Sequence, residues 1–203
     1  MANFFVRHTA EDGFGSVLRF TFMAICALLL SACITVERNI VGLGADDINA
    51  SARADGKIRR VFIATTRQRS DDPVEFFSGR RSQQLQLGYI DVFIPKAHQI
   101  GQVERPSVGQ RPDPKKHFIL SKPVLANTGK VFQQAIDAAL KPKPISDKNV
   151  LVFVHGYNTN FSAAVLRVAQ FANDIHYDGV PVLFSWASRG QVFDYLYDLN
   201  SAL

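Results

Sequence analysis

Cysteine and tryptophan are scarce in this chain, and no single sign of charge is concentrated anywhere along it. Its 203 residues contain two cysteines, Cys26 and Cys33, both inside one apolar stretch. A disulfide framework or a thiolate metal site needs more cysteines, spaced through the fold, so neither is expected and no metal or other cofactor is implied. The apolar stretch at 20–32, FTFMAICALLLSA, is thirteen residues long, whereas a helix that spans a membrane needs about 20. The net charge is +5. Its basic residues fall in scattered pairs (Arg59-Arg60, Arg80-Arg81, Lys115-Lys116) without an aromatic stacking platform, which argues against nucleic acid as a partner. No self-similar period of 20 to 50 residues marks a repeat architecture. At 47% hydrophobic and 20% charged, with Gly 13 and Pro 9, the chain is neither disordered nor collagen-like, and a single folded domain is expected.

The short apolar stretch follows Arg19, and a basic flank before a short apolar segment reads as an export signal. Its end, Leu30-Ser31-Ala32-Cys33, resembles the lipobox of bacterial lipoproteins. That resemblance implies cleavage before Cys33, lipidation of Cys33, and attachment to membrane in the bacterial cell envelope. An uncleaved anchor or an ordinary signal sequence is the alternative. Ile34 rather than Asp follows the cysteine, which favours the outer over the inner membrane if the usual Gram-negative sorting applies. Glu11 and Asp12 are unusual in a signal n-region, and a start at Val17 would leave a normal one. The expected map is a signal peptide at 1–32, a tether at 33–57 and the folded domain at 58–203.

Within that domain, 61–66 (VFIATT) and 85–94 (LQLGYIDVFI) read as strands, 101–116 as a proline-containing surface loop, and 117–120 (HFIL) as a short strand. Val131, Phe132, Ala135, Ile136, Ala139 and Leu140 recur at helical spacing behind Thr128, a natural N-cap, and predict a helix with one buried stripe. The five apolar residues at 150–154 (VLVFV) predict a strand covered on both faces by helices in a parallel sheet. A second helix is expected from Phe161 to about Ile175, then a strand at 180–184. Crossover handedness makes the last two strands parallel neighbours in an α/β sheet. An unpaired sheet edge is expected beside 182–186.

Ligands in such sheets meet the carboxyl ends of the strands, and the loop leaving the most apolar strand is His155-Gly156-Tyr157-Asn158. Gly156 permits close backbone approach and positive φ, and the following helix aims main-chain N–H groups at the loop. Donors so placed can stabilise the oxyanion of acyl transfer.

The chain from about Arg60 onward, most strongly the segment from Asn149 to Asp198, NVLVFVHGYNTNFSAAVLRVAQFANDIHYDGVPVLFSWASRGQVFDYLYD, resembles a bacterial α/β-hydrolase family of unknown function, domain of unknown function 900, whose relatives are esterase- and lipase-like. The resemblance implies that Tyr157 supplies a backbone oxyanion donor, with His155, Gly156 and Asn158 supporting the loop. It also implies a Ser, Asp or Glu, His triad whose serine sits in G-x-S-x-G. No such pentad occurs. Trp186-Ala187-Ser188-Arg189-Gly190 carries only its second half, so Ser188 reads as a capping or loop serine and no nucleophile is identified. Asp174, His176 and Asp178 read as a solvated helix end. The sequence stops at Leu203 within an expected helix near Gln191. The expectation is therefore an incomplete α/β-hydrolase-type sheet with flanking helices, truncated before the nucleophile elbow by a frameshift, an early stop or a split gene. The expected function is that of a lipid-anchored hydrolase of esters or related acyl groups, inactive as given. A non-catalytic envelope lipoprotein with a binding or structural role is the alternative.

Overall fold

The computed structural model describes residues 48–49, 55–71, 75–107 and 110–188. The expected signal peptide, Cys33, most of the expected tether and the helix expected near Gln191 lie outside the described residues. Among the described residues no helix is long and apolar enough to cross a membrane.

In chain order the elements are β1 (Gly56–Arg69), β2 (Phe77–Pro95), β3 (Ile119–Leu120), β4 (Val124–Ala126), α1 (Gly129–Leu140), β5 (Val150–Val154), α2 (Phe161–Asp174) and β6 (Val180–Ser185), with a 3₁₀ turn at Ile145–Asp147 before β5. They form a mixed six-stranded sheet in the order β3-β2-β1-β6-β5, with β4 pairing β2. This sheet with its two flanking helices is consistent with an incomplete α/β-hydrolase-like fold. β1 and β2 run antiparallel from Gly56↔Pro95 to Thr65↔Gln86, and the register shifts beyond Thr65. β6 is parallel to β1 (Phe62↔Val182) and to β5 (Val152↔Val182), as the β-α-β pattern predicts.

The first two strands run well past their apolar runs, because hairpin pairing carries polar residues such as the exposed Arg81 and the half-buried Gln86. β1 accordingly starts at Gly56, ahead of the expected domain start at 58. Ile48 is buried and packs with Phe93 and Ile119. β4 carries no signal of its own and docks because Gly88 lets the backbones meet: a Cβ there would lie 2.3 Å from the Val124 carbonyl oxygen.

Alternation along β1 splits its apolar residues between two faces. Val61 and Ile63 join Ile90, Leu183 and the α2 residues Phe161, Ala164, Val165 and Val168 in the larger core. Phe62 faces the other way, with Val180 and Val182, against Phe132, Ala135, Ile136 and Ala139 of α1. Thr128 caps α1 as expected, its Oγ1 accepting from Val131 N, and Asn160 caps α2, its Oδ1 accepting from Ala163 N at 2.8 Å. α2 is buried along most of its length. The α1 stripe packs on the sheet but stays half-exposed.

Two expectations are corrected at β5. Val152 and Val154 are 61% and 57% exposed, so no helix among the described residues covers that face of the strand. Among the described strands the unpaired edge falls on β5 and not beside β6. The common cause is strand order: β6 inserts between β1 and β5, leaving β5 outermost among the described strands, while α1 sits over β1 and β6.

Candidate functional site

Parallel register brings the ends of three strands together. Thr65 of β1 pairs with Ser185 of β6, Val154 of β5 pairs with Phe184, and His155 follows immediately. Beneath the His155–Asn158 loop lies Arg67, only 1% exposed. Its Nε donates to Ser185 Oγ at 2.9 Å, its Nη1 to the carbonyl of Ser188 at 2.6 Å, and its Nη2 to the carbonyl of Thr159 at 2.6 Å. One planar guanidinium therefore joins β1 to the segments leaving both β5 and β6. Thr65 secures the same corner, donating from Oγ1 to the Ser185 carbonyl at 2.7 Å and accepting from Arg67 N at 3.1 Å.

His155 is buried and its tautomer follows from its neighbours. Nδ1 lies 2.7 Å from the Gly156 carbonyl oxygen, which can only accept, so Nδ1 carries the proton. Nε2 then accepts, from Ser185 Oγ at 3.1 Å. That hydroxyl can donate because its lone pair already receives Arg67 Nε. Trp186 stacks on the imidazole with centroids 5.2 Å apart and 17° between planes, and its Nε1 donates to the His155 carbonyl at 2.9 Å. The loop is thus held from below by a connected polar network, of the kind that fixes one geometry when its members are satisfied.

The upper side differs. Among the described residues no atom lies within 4 Å of where a Gly156 Cβ would project, and Tyr157 is 53% exposed. The expected positive φ belongs not to Gly156 but to Asn158, at φ 56. Asparagine tolerates the left-handed region better than most residues, and the turn there sets up the N-terminus of α2.

Ser185 and His155 are within hydrogen-bond reach, yet this is no presented nucleophile. Ser185 is fully buried, and Nδ1 of the histidine is held by a main-chain carbonyl rather than a carboxylate. Ser188 is also fully buried and accepts from Thr159 N at 3.2 Å. Arg67, Thr65 and Ser185 carry no sequence motif; the only hint is an arginine directly after the strand run at 61–66.

The expected solvated helix end is corrected at Asp174 alone, His176 and Asp178 being exposed. Asp174 is a buried carboxylate that accepts from Gly101 N at 2.7 Å, from Gln170 Nε2, and from His98 Nε2 at 2.7 Å. His98 Nδ1 meets Glu104 Oε2 at 2.9 Å. Burial disfavours the charged ring, but the two carboxylate bonds outweigh it and raise the His98 pKa. Burial likewise opposes the Asp174 charge, yet the Gly101 N–H, His98 and Gln170 hold its carboxyl well below the usual carboxylate range. This clamp ties the 98–104 loop to the C-terminal end of α2. It lies about 20 Å along the helix from the His155 loop, given its 14 residues at 1.5 Å each. His176 falls just after α2 rather than on it, at φ 52. Among the described residues no group of His, Cys, Asp and Glu is arranged to hold a metal ion.

Residues 130–203 match the family model described as alpha/beta hydrolase of unknown function (DUF900). The match takes in β5, the His155–Asn158 loop, α2 and β6. No curated protein and no solved structure matches the chain.

Proposed function

We propose, from the family match of residues 130–203, that this chain contributes an acyl-binding loop to a hydrolase of esters or related acyl groups, and, from the lipobox-like Leu30-Ser31-Ala32-Cys33 followed by Ile34, that lipid on Cys33 holds it in the bacterial cell envelope, at the outer rather than the inner membrane. Tyr157 N–H is the oxyanion donor in this reading, and His155, Gly156 and Asn158 shape the loop around it. The supporting observation is the contrast between its two sides, braced beneath by Arg67, Ser185 and Trp186 and open above at Gly156.

Acyl transfer turns a planar carbonyl into a tetrahedral centre whose oxygen gains charge. A donor fixed in advance need not reorganise when that charge appears, and losing one such donor costs about 2.7–4 kcal/mol of transition-state stabilisation. The buried arginine network serves this end by fixing the loop before substrate arrives. Nucleophilic attack further needs an accessible hydroxyl beside an oriented base, and neither Ser185 nor Ser188 is accessible. The 203-residue chain is therefore proposed to bind acyl groups without turning them over. A second reading, a non-catalytic envelope lipoprotein with a binding role, is favoured by the same burial of Ser185. Exposure of the purified chain to a fluorophosphonate probe and an activated ester tests the proposal. Background turnover and no labelled serine are expected; labelling at Ser185 or Ser188, with loss of turnover in its Ala variant, would overturn the inactivity.

A further inference from the structure

We infer that a second ligand site, for a phosphate group, lies at the end of the sheet opposite the His155–Asn158 loop. The starts of β1 and β6 enclose a hollow of about 290 Å³ there. Phe62 pairs with Val182 in parallel register, so Arg59 stands level with Gly179, away from Thr65 and Ser185. Three cations, Arg59, Arg60 and Lys143, line the hollow against one acid, Asp178.

These cations are not equivalent. Arg60 is already matched, its Nε and Nη2 donating to the Asp91 carboxylate at 2.7 and 2.8 Å. Lys143 Nζ donates to the main-chain oxygen of Asp178, a bond that uses one of its three donors and none of its charge. Arg59 Nη1 donates to the Tyr177 carbonyl at 2.8 Å, while its Nε is buried without an acceptor. Burial lowers the Arg59 pKa from the ordinary arginine value, and the charge of Asp178 offsets this in part. After Asp178 is set against one cation, the hollow keeps one positive charge in excess and the ammonium donors of Lys143.

A phosphate oxygen meets these demands together. It brings negative charge, acceptors in several directions, and the geometry that guanidinium and ammonium donors recognise. The apolar wall formed by Phe62 and Pro181 suits an organic substituent on that phosphate, and an excess of one charge matches a phosphodiester. A phospholipid headgroup and a soluble phosphate ester share this chemistry. The site does not depend on the acyl-binding reading.

Equilibrium dialysis of inorganic phosphate against the full-length chain, carrying Cys33→Ala so that no anchor contributes and purified in a maltoside detergent, tests the site. Saturable binding is expected, weakened about tenfold or more by Arg59→Gln or Lys143→Gln, as loss of one charge-assisted bond implies, and unchanged by Arg81→Gln. Retention on phosphatidylglycerol vesicles that free phosphate releases would identify the headgroup as the source. Phosphate binding without such retention would identify a soluble phosphate ester. Absence of saturable phosphate binding, or binding unaltered in Lys143→Gln, would overturn the proposal. Should Arg59→Gln fail to fold, the more peripheral Lys143→Gln decides alone.

Discussion

Arg67→Met removes the guanidinium on which three segments converge while keeping an unbranched apolar side chain of similar reach. Three short bonds are lost, to Ser185 Oγ, the Ser188 carbonyl and the Thr159 carbonyl. Hydrogen bonds from a charged donor contribute about 1.5–3 kcal/mol each. The acceptors left behind sit in a site 1% exposed, where each unsatisfied group adds its own cost. Even with strong non-additivity, a loss of about 4 kcal/mol or more is expected, a large share of the 5–15 kcal/mol typical of a folded domain. Arg67→Lys keeps the charge without the planar fork and should fall between variant and wild type. Trp186 is the sole tryptophan and stacks on His155, so its fluorescence in a urea titration reads the affected corner directly. An Arg67→Met transition within about 1 kcal/mol of wild type, well inside the range of ordinary substitutions, would refute the bracing role.

The His98 clamp should give stability a maximum in pH. The raised His98 pKa contributes stability that is complete below its unfolded value, about 6.5, and lost as pH rises through the folded value. The lowered Asp174 pKa contributes above about 3.9 and is lost on acidification. A series of urea midpoints should therefore peak between these limits, and Asp174→Asn should flatten both flanks; a variant with the wild-type profile would show the clamp to be idle. Gly88→Val should displace β4, because its Cβ would lie 2.3 Å from the Val124 carbonyl oxygen. A cost of about 1–3 kcal/mol, as for other overpacked sites, is expected in the same titration. Cys33→Ala should move the protein to the soluble envelope fraction, since stable anchoring needs more than one acyl chain, and an unmodified Cys33 thiol in native material, seen by intact mass, would contradict lipidation.

Local pattern carried the β5-α2-β6 unit. An unbroken apolar run, helical spacing behind Asn160 and a second apolar run specify the elements, and a parallel pairing follows from chirality. The same pattern could not say that β5 is outermost, because an apolar run has the same composition whether or not a neighbour covers it. The His155–Asn158 loop was legible from its place after the most apolar strand. Its support was not, since Arg67 meets Ser185, Ser188 and Thr159 across 92 to 121 positions of sequence. Asp174 was misread for the same reason: its imidazole partner lies 76 positions away, and an acidic residue at a helix end is otherwise usually solvated.

The central claim, an acyl-binding loop braced below and open above, is tested most directly by amide NMR with a short-chain fatty carboxylate as probe. Titration of the wild-type chain should shift the Tyr157 N–H saturably. Gly156→Val places its side chain in space that holds no atom of the described residues within 4 Å of the Cβ, so it should leave the urea midpoint unchanged and abolish that shift. A Tyr157 amide that does not respond, or responds equally in Gly156→Val, would contradict the account.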